Sequence, residues 1–195
     1  MNCFLSLLGG RMMHLLVRIQ SCKKGTSAVE FALIAPVFIV IIAGMVDVGG
    51  LLLSRSDVSA AVTAGSNFLL VNADRVATAP EEVARQTAMV AGNRLLASVV
   101  VRVTINGGLT VEYSNGKFLT SGSTSSATHC FCPQGEGDSI SFGSAVECGK
   151  PCGTGGYAGR YVQVAASHGY NPLFGGFGMM SQNGTVSVSS TVNVP

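Results

Sequence analysis

The chain has 195 residues, of which 47% are hydrophobic and only 11% are charged, and its mean hydropathy is +0.44. This composition is too apolar for an ordinary soluble enzyme and favours a membrane-attached protein with one modest domain. The formal net charge is +2, and the basic residues beyond the N-terminal region are scattered and mostly single. No nucleic-acid-binding patch is therefore predicted.

The first 25 residues carry a concentrated positive charge and are followed by an apolar run. Four of the twelve Lys and Arg residues lie in 1–25 with no acid, which leaves eight basic and ten acidic residues, a net charge of −2, from residue 26 onward. The uncharged run from Phe31 to Val46 extends to Leu53 when Asp47 is included. As a helix this stretch spans roughly 34 Å, close to the thickness of the hydrocarbon core of a bilayer. The positive-inside bias predicts a cytoplasmic N-terminus and an external chain beyond about residue 54.

The apolar run is predicted to continue as a helix rather than to end at a signal-peptide cleavage site. It is longer than a typical signal-peptide core, and no small-residue cleavage motif follows it. Apolar or small residues then recur at helical spacing, at Val58, Val62, Gly65 and Leu69. We therefore predict one helix from about Ser27 to about Asn72, anchored in its first half and packed on a domain in its second. Pro36 predicts a kink.

The start of the apolar run has the pattern of a type IV prepilin cleavage site: Gly25, four residues, then Glu30 and Phe31, with basic residues before the glycine. The longer stretch GTSAVEFALIAPVFIVIIAGMVDVGGLLLSRSDVSAAVTAGS resembles the TadE-like pseudopilins of the tight-adherence (Flp) pilus system. The close resemblance covers roughly residues 25–70, and a weaker one covers the later cysteines and YVQVAASHGYNPLF. The sequence departs from the family pattern after Ala60, where it has VTAGSNFLL.

The resemblance implies that a prepilin peptidase cuts between Gly25 and Thr26 and removes the basic leader. Cleavage would create an α-amino group at Thr26, which is mostly cationic at neutral pH. Glu30 would lie one helical turn away, and an ionisable group inside a membrane helix normally has a partner. We interpret Glu30 as the counterion of this amine, in its own or a neighbouring subunit. The alternatives are that Gly25 only separates leader from helix and that Glu30 only reaches the headgroups.

Asp47 is the second carboxylate of the apolar stretch, about 16 residues after Phe31. It is assigned with Glu30 to assembly and charge pairing, as a hydrogen-bonding group toward a neighbouring helix. The alternative, which is favoured, is that it only marks the exit into water. Glycines nearby would permit close helix approach, at Gly44, Gly49 and Gly50.

Six cysteines indicate the compartment. Cys3 and Cys22 lie in the leader, whereas an even set of four lies on the predicted outer side, at Cys130, Cys132, Cys148 and Cys152. A bridge between Cys130 and Cys132 would close a very small strained ring, so the pair is expected to bond with the later two, in either of two ways. A zinc site with His129 is the rival interpretation, but C-x-C spacing fits zinc poorly.

The outer part is predicted to be an α+β domain with about four antiparallel strands. A second helix begins with Thr78 as N-cap, and a hairpin follows through Asn106-Gly107-Gly108. Residues 114–158 are expected to be irregular, and two strands follow, at Arg160–Ser167 and Thr185–Val194. Between these strands lies an apolar group that is predicted to cap the sheet or to bind a partner, at Leu173, Phe174, Phe177, Met179 and Met180.

The predicted organisation is a leader at 1–25, a transmembrane segment at 26–53, a helix continuation at 54–76 and an extracytoplasmic α+β domain at 77–195. No catalytic motif is found, since His129 and His168 have no carboxylate at a telling spacing, and His14 lies in the leader. The protein is therefore expected to be no enzyme and to need no cofactor or metal.

The expected function is that of a minor pseudopilin, or assembly component, of a tight-adherence pilus. Its expected partners are the prepilin peptidase, other pilins and pseudopilins, inner-membrane assembly proteins and the lipid bilayer, with no nucleic acid. The expected location is the bacterial inner membrane, single-pass with a periplasmic C-terminal domain, or the cell surface as part of a pilus. The alternative is a membrane-tethered periplasmic binding or sensing module whose anchor is never cut. A pseudopilin of a type II secretion machine is less favoured, because Thr26 and Asp47 fit that class poorly.

Overall fold

The computed structural model describes residues 26–93, 99–135, 140–153, 155–173 and 184–194. The chain divides into two units whose boundary lies inside the first helix, between Met45 and Val46. In its described part, the first unit is the apolar beginning of that helix. The second unit contains the remainder of the helix, a second helix and the sheet.

Helix α1 runs from Thr26 to Val71, within one residue of the predicted span at each end, and contains Pro36. In the first unit its large apolar side chains are exposed, and Phe31 and Leu33 are each about three-quarters accessible. Among the described residues, α1 is the one helix that is long and apolar enough to cross a membrane. The exposed apolar surface fits a single-pass membrane anchor.

Helix α2 runs from Pro80 to Gly92, and it begins later than predicted. Its N-cap is Ala79 without a side-chain cap, so the prediction of Thr78 as N-cap is wrong. The reason is Pro80, whose fixed φ and missing N–H suit the first helical position and place the cap one residue before it. The Thr78 hydroxyl instead donates to the carbonyl of Arg75, at 3.3 Å.

The second unit contains a five-stranded antiparallel sheet in the order β3-β2-β1-β6-β7. Its strands are β1 (Val99–Ile105), β2 (Leu109–Ser114), β3 (Lys117–Ser121), β6 (Arg160–Tyr170) and β7 (Gly184–Val194). A separate two-stranded ribbon pairs β4 (Pro133–Gln134) with β5 (Ser141–Phe142). The predicted α+β class is therefore confirmed, with five strands in the main sheet rather than about four.

The additional strand is β3, which lies within the segment predicted to be irregular. It forms a second hairpin with β2 through Asn115 and Gly116, both of which have positive φ, 51° and 76°. An Asn-Gly pair suits such a two-residue turn because both positions need the left-handed region. Across the hairpin, the rings of Tyr113 and Phe118 lie 4.9 Å apart.

The core lies between one face of the sheet and the two helices. Alternate residues of β1 are fully buried, and so is the predicted stripe of α1, at Val58, Val62 and Leu69. Gly65 of α1 lies at the point of closest packing, because a Cβ there would be 3.2 Å from Ala91 Cβ of α2 and 3.3 Å from Val164 Cγ1 of β6. A glycine at this position lets both elements approach the helix backbone.

Candidate functional site

The predicted cleavage site lies at the N-terminal edge of the described chain. Gly25 falls outside the described residues, and Thr26 is the first residue of α1. Glu30 lies one helical turn later, is exposed, and makes no ion pair with any residue that the structure describes. Residues 26 and 30 are therefore neighbours along one helix face, the spacing that a charge pair between the new amine and the carboxylate requires.

Asp47 lies in the part of α1 that belongs to the second unit, and its accessible fraction is only 6%. Its Oδ1 accepts a hydrogen bond from the backbone N–H of Leu173, at 2.9 Å. Its backbone carbonyl accepts a second hydrogen bond from the hydroxyl of Tyr170, at 2.7 Å. A carboxylate in this setting ties the chain after β6 to the helix.

Gly50 makes room for this junction. A Cβ at Gly50 would lie 2.9 Å from the Tyr170 hydroxyl oxygen, whereas a Cβ at its neighbour Gly49 would meet nothing within 4 Å. The close approach that the glycines were predicted to permit therefore involves a tyrosine of the same chain. The structure gives Asp47 an intramolecular partner, which differs from both a bond to a neighbouring helix and a simple exit into water.

The four later cysteines form two disulfides in the connection between β3 and β6. Cys130 is bonded to Cys148 and Cys132 to Cys152, with Cα–Cα distances of 5.1 and 5.6 Å. The sequence left two pairings open. The structure has the one that joins the first of the four cysteines to the third and the second to the fourth. Because all four sulfurs are bonded in pairs, none is left to bind zinc.

Asn106 holds the disulfide-bonded segment to the sheet. Its Nδ2 donates to the carbonyls of Ser126 and His129, at 2.9 and 3.0 Å, and its Oδ1 accepts from the N–H of Tyr161, at 2.8 Å. The residue is buried and has a φ of 50°, a conformation that Asn tolerates better than most residues. Burial raises the pKa of Tyr161 above its ordinary value of 10.0.

No constellation of catalytic or metal-binding side chains is found in the described part of the chain. No group of three His, Cys, Asp or Glu residues there is placed to hold a metal ion. His129 is exposed on the loop, with its Nδ1 2.7 Å from the Ser125 carbonyl oxygen. His168 lies apart from it on β6, with a buried Nδ1. The main features of the described chain are thus a helix that is apolar enough to cross a membrane, a hydrogen-bonded helix–sheet junction and a loop closed by two disulfides.

Comparison with known proteins adds one finding. The TadE-like protein family model matches residues 25–66, which begin at the predicted cleavage glycine and include Glu30, Asp47 and most of α1. No curated protein and no solved structure matches the chain. The family is one of pilus structural and assembly components rather than of enzymes. The resemblance inferred from the sequence is confirmed over this segment: the chain carries a TadE-like region, typical of components associated with the tight-adherence pilus.

Proposed function

We propose that this protein is a minor pseudopilin of a tight-adherence (Flp) pilus, made as a precursor in the bacterial inner membrane. The observation that carries the proposal is the position of the TadE-like match, which starts at Gly25. From there it runs into a helix that is long and apolar enough to cross a membrane. A binding module with an ordinary anchor would have no need for a glycine, a glutamate and an aromatic residue at this spacing.

In this proposal a prepilin peptidase cuts between Gly25 and Thr26 and releases the leader, 1–25. Residues 26–53 then form the transmembrane segment, and 54–76 continue the helix outside. The domain at 77–195 lies in the periplasm, and the N-terminus faces the cytoplasm because the basic residues precede the apolar run. Two disulfides in the outer part support this orientation, since such bonds persist in oxidising compartments.

Glu30 is the proposed assembly residue of the membrane segment. Its side chain is exposed on α1 in a stretch where the apolar neighbours face outward too. Leaving a carboxylate unpaired in hydrocarbon is costly, so the α-amine at Thr26 of the same or a neighbouring subunit is its proposed counterion. Asp47 is occupied within its own chain and is therefore proposed to support assembly by fixing the domain on the helix.

The second half of α1 offers a surface to other pilus components. A shallow hollow of small and polar side chains lies along it, at Ser56, Ser59, Ala60, Thr63, Ala64 and Asn67. Small residues allow the backbones of two helices to approach closely. This surface supports packing against the helix of another pilin or pseudopilin.

N-terminal sequencing of the protein extracted from membranes tests the proposal. The mature chain should begin at Thr26 in wild-type cells and at Met1 when Gly25→Val blocks the peptidase. A wild-type chain that begins at Met1 would instead support the alternative, a membrane-tethered periplasmic binding or sensing module. That alternative is motivated by the apolar residues after β6, of which 174–183 lie outside the described residues and Leu173 is 79% exposed rather than capping the core.

Recovery with sheared surface filaments tests the assembly role. Glu30→Gln should be processed normally yet should be lost from the complexes that contain the wild-type chain. Asp57→Asn removes a charge from an exposed position further along α1 and should assemble like wild type. Equal recovery of both variants would contradict the charge-pairing role of Glu30.

A further inference from the structure

Beyond Val46 at its boundary, the described part of the second unit has four exposed large apolar side chains around the helix–sheet junction. Three lie on α1 and one lies on the turn after β6: Val48, Leu52, Leu53 and Leu173, with accessible fractions of 47, 61, 69 and 79%. We refer to these four residues as the juxtamembrane patch. Val48 and Leu52 are one helical turn apart, and Leu53 follows directly. Several exposed apolar side chains at one level of the fold indicate a contact surface.

The position of Leu173 is fixed by hydrogen bonds to α1. Its backbone N–H lies 2.9 Å from Asp47 Oδ1, and the Tyr170 hydroxyl lies 2.7 Å from the Asp47 carbonyl oxygen. The Leu173 backbone is thus held beside Asp47, one residue before Val48 of the patch. The turn after β6 therefore lies at the level of the helix at which the apolar run meets its first acid.

Helix geometry places that level at the edge of the hydrocarbon core. The stretch from Ser27 to Val46 contains 20 residues, which span about 30 Å as a helix and match the hydrocarbon thickness. Leu53 lies about 9 Å beyond Asp47, a distance comparable to the depth of the headgroup layer. The next three exposed residues are polar, and two of them carry charge, at Arg55 and Asp57.

The charge pattern of the turn region is consistent with contact with lipid. From Tyr161 to Pro195 the chain contains no Asp, Glu, Lys or Arg. The carboxylate of Asp47, to which the turn is bonded, is buried. No charged side chain of this C-terminal stretch would therefore have to be dehydrated if the turn entered the interface.

We infer that the juxtamembrane patch lies in the periplasmic headgroup layer of the bilayer that α1 crosses, with the Leu173 side chain inserted toward the acyl chains. The four side chains of the patch then lie at the membrane surface rather than in bulk water. The inference rests on the proposed membrane anchoring but needs neither leader cleavage nor pilus assembly.

Tryptophan fluorescence tests this placement, because the chain contains no Trp and each substitution introduces a single probe. The full chain is reconstituted into phosphatidylethanolamine–phosphatidylglycerol vesicles that carry bromine near the headgroup end or near the terminal methyl end of the acyl chains. Leu173→Trp and Leu53→Trp should show blue-shifted emission, strong quenching by the shallow bromine, weaker quenching by the deep bromine, and little quenching by aqueous iodide.

Two control probes separate this inference from the membrane proposal itself. Leu119→Trp replaces an equally exposed leucine, 66% accessible on the edge strand β3, and should emit as in water and respond to iodide only. Phe38→Trp lies within the apolar run and should be quenched best by the deep bromine. If Phe38→Trp is not quenched, the membrane anchor is wrong.

The patch is overturned separately if Phe38→Trp is quenched but Leu173→Trp and Leu53→Trp behave like Leu119→Trp. Blue-shifted emission from the two patch probes without bromine quenching also overturns it, because the patch would then be covered by protein, such as a second copy of this chain. Retention of both disulfides by each variant verifies that the domain has folded.

Discussion

The backbone N–H of Leu173 donates a 2.9 Å hydrogen bond to Oδ1 of Asp47, across 126 residues of sequence. The hydroxyl of Tyr170 donates to the carbonyl of the same aspartate, at 2.7 Å. One residue of α1 therefore receives two hydrogen bonds from the end of β6. Asp47 therefore has a structural role within its own chain, which is to hold the end of β6 against α1. This role does not depend on charge pairing between subunits.

Replacing Asp47 should destabilise the second unit. Asp47→Ala leaves the Leu173 N–H without its partner, and we expect it to lower the free energy of unfolding by about 1–3 kcal/mol. Asp47→Asn keeps an acceptor oxygen and should cost less. Urea unfolding in detergent micelles, followed by circular dichroism, measures both. The exposed Asp57 on the same helix provides the control, since Asp57→Ala should stay within about 0.5 kcal/mol of wild type. Equal losses at the two aspartates would contradict the role of Asp47.

Alanine at the two adjacent glycines should change stability in opposite directions. At Gly50 a methyl group would lie 2.9 Å from the Tyr170 hydroxyl oxygen, so the ring must shift and weaken its bond to Asp47, at a cost of about 1–3 kcal/mol. At Gly49 nothing lies within 4 Å of a new Cβ, and the higher helix propensity of Ala should stabilise by about 0.5–1 kcal/mol. Thermal unfolding of the two single variants checks the sign. In a Tyr170→Phe background the penalty of Gly50→Ala should shrink, and an unchanged penalty would show that another contact causes it.

Asn106 should matter for its side chain and not only for its left-handed backbone. Asn106→Gly keeps the positive φ without strain but removes three hydrogen bonds, and we expect a loss of about 2–4 kcal/mol in the free energy of unfolding. Asn115 has nearly the same φ, 51°, but is exposed. Asn115→Gly should therefore be nearly neutral. Similar effects at both positions would mean that the turn conformation alone is important.

Asn106→Asp should make stability depend on pH. A carboxylate there would face the carbonyl oxygens of Ser126 and His129 instead of donating to them. The charged form is thus disfavoured in the folded protein, and the pKa of the new carboxyl rises above its unfolded value. The free energy of unfolding of this variant is therefore highest below the unfolded pKa, where the carboxyl is protonated in both states. It falls as pH rises through the folded pKa. Unfolding midpoints between acidic and neutral pH should fall for this variant relative to wild type.

Each of the two disulfides should stabilise the second unit, and peptide mapping should identify each one. Each closes a loop with a sequence separation of 18 or 20, for which loss of one bridge costs about 3 kcal/mol in the chain-entropy model. Peptide mapping of the unreduced protein extracted from membranes should recover Cys130 with Cys148 and Cys132 with Cys152. The crossed pairing, Cys130 with Cys152, would contradict the structure. Cys132→Ala with Cys152→Ala should retain the other bridge and lose only part of the stability.

The elements with local signals could be predicted from the sequence. The apolar run and the stripe through Val58 and Leu69 gave α1 within one residue, because helical spacing repeats over many turns. The first hairpin followed from the alternation in β1 and the turn after Ile105. Strand β3, which was not predicted, has an equally local signal in the Asn115-Gly116 pair. The surrounding glycine- and serine-rich sequence is typical of irregular structure and outweighed that signal.

The helix–sheet junction could not be predicted, because its partners are distant in sequence. Nothing near Asp47 in the sequence indicates that its carboxylate accepts a hydrogen bond from the backbone N–H of Leu173. Almost every residue has a backbone N–H, so residue type does not identify this donor. The choice between the two disulfide pairings likewise depends on how the loop folds back, not on spacing. Asn106 was recognised as a turn residue, but its three side-chain bonds reach Ser126, His129 and Tyr161 and become visible only in the fold.

Both disulfides lie within the connection between β3 and β6, so among the described residues no covalent cross-link joins α1 to the sheet. A pull on α1 from its N-terminal end would therefore be resisted by non-covalent contacts, which include apolar packing and the hydrogen bonds at Asp47. Those bonds lie nearest the point of traction and would break first, after which Val58 and Val62 would separate in turn. Under tension α1 would separate from the sheet one helical turn after another and the molecule would lengthen. The loop that contains the two disulfides would keep its structure.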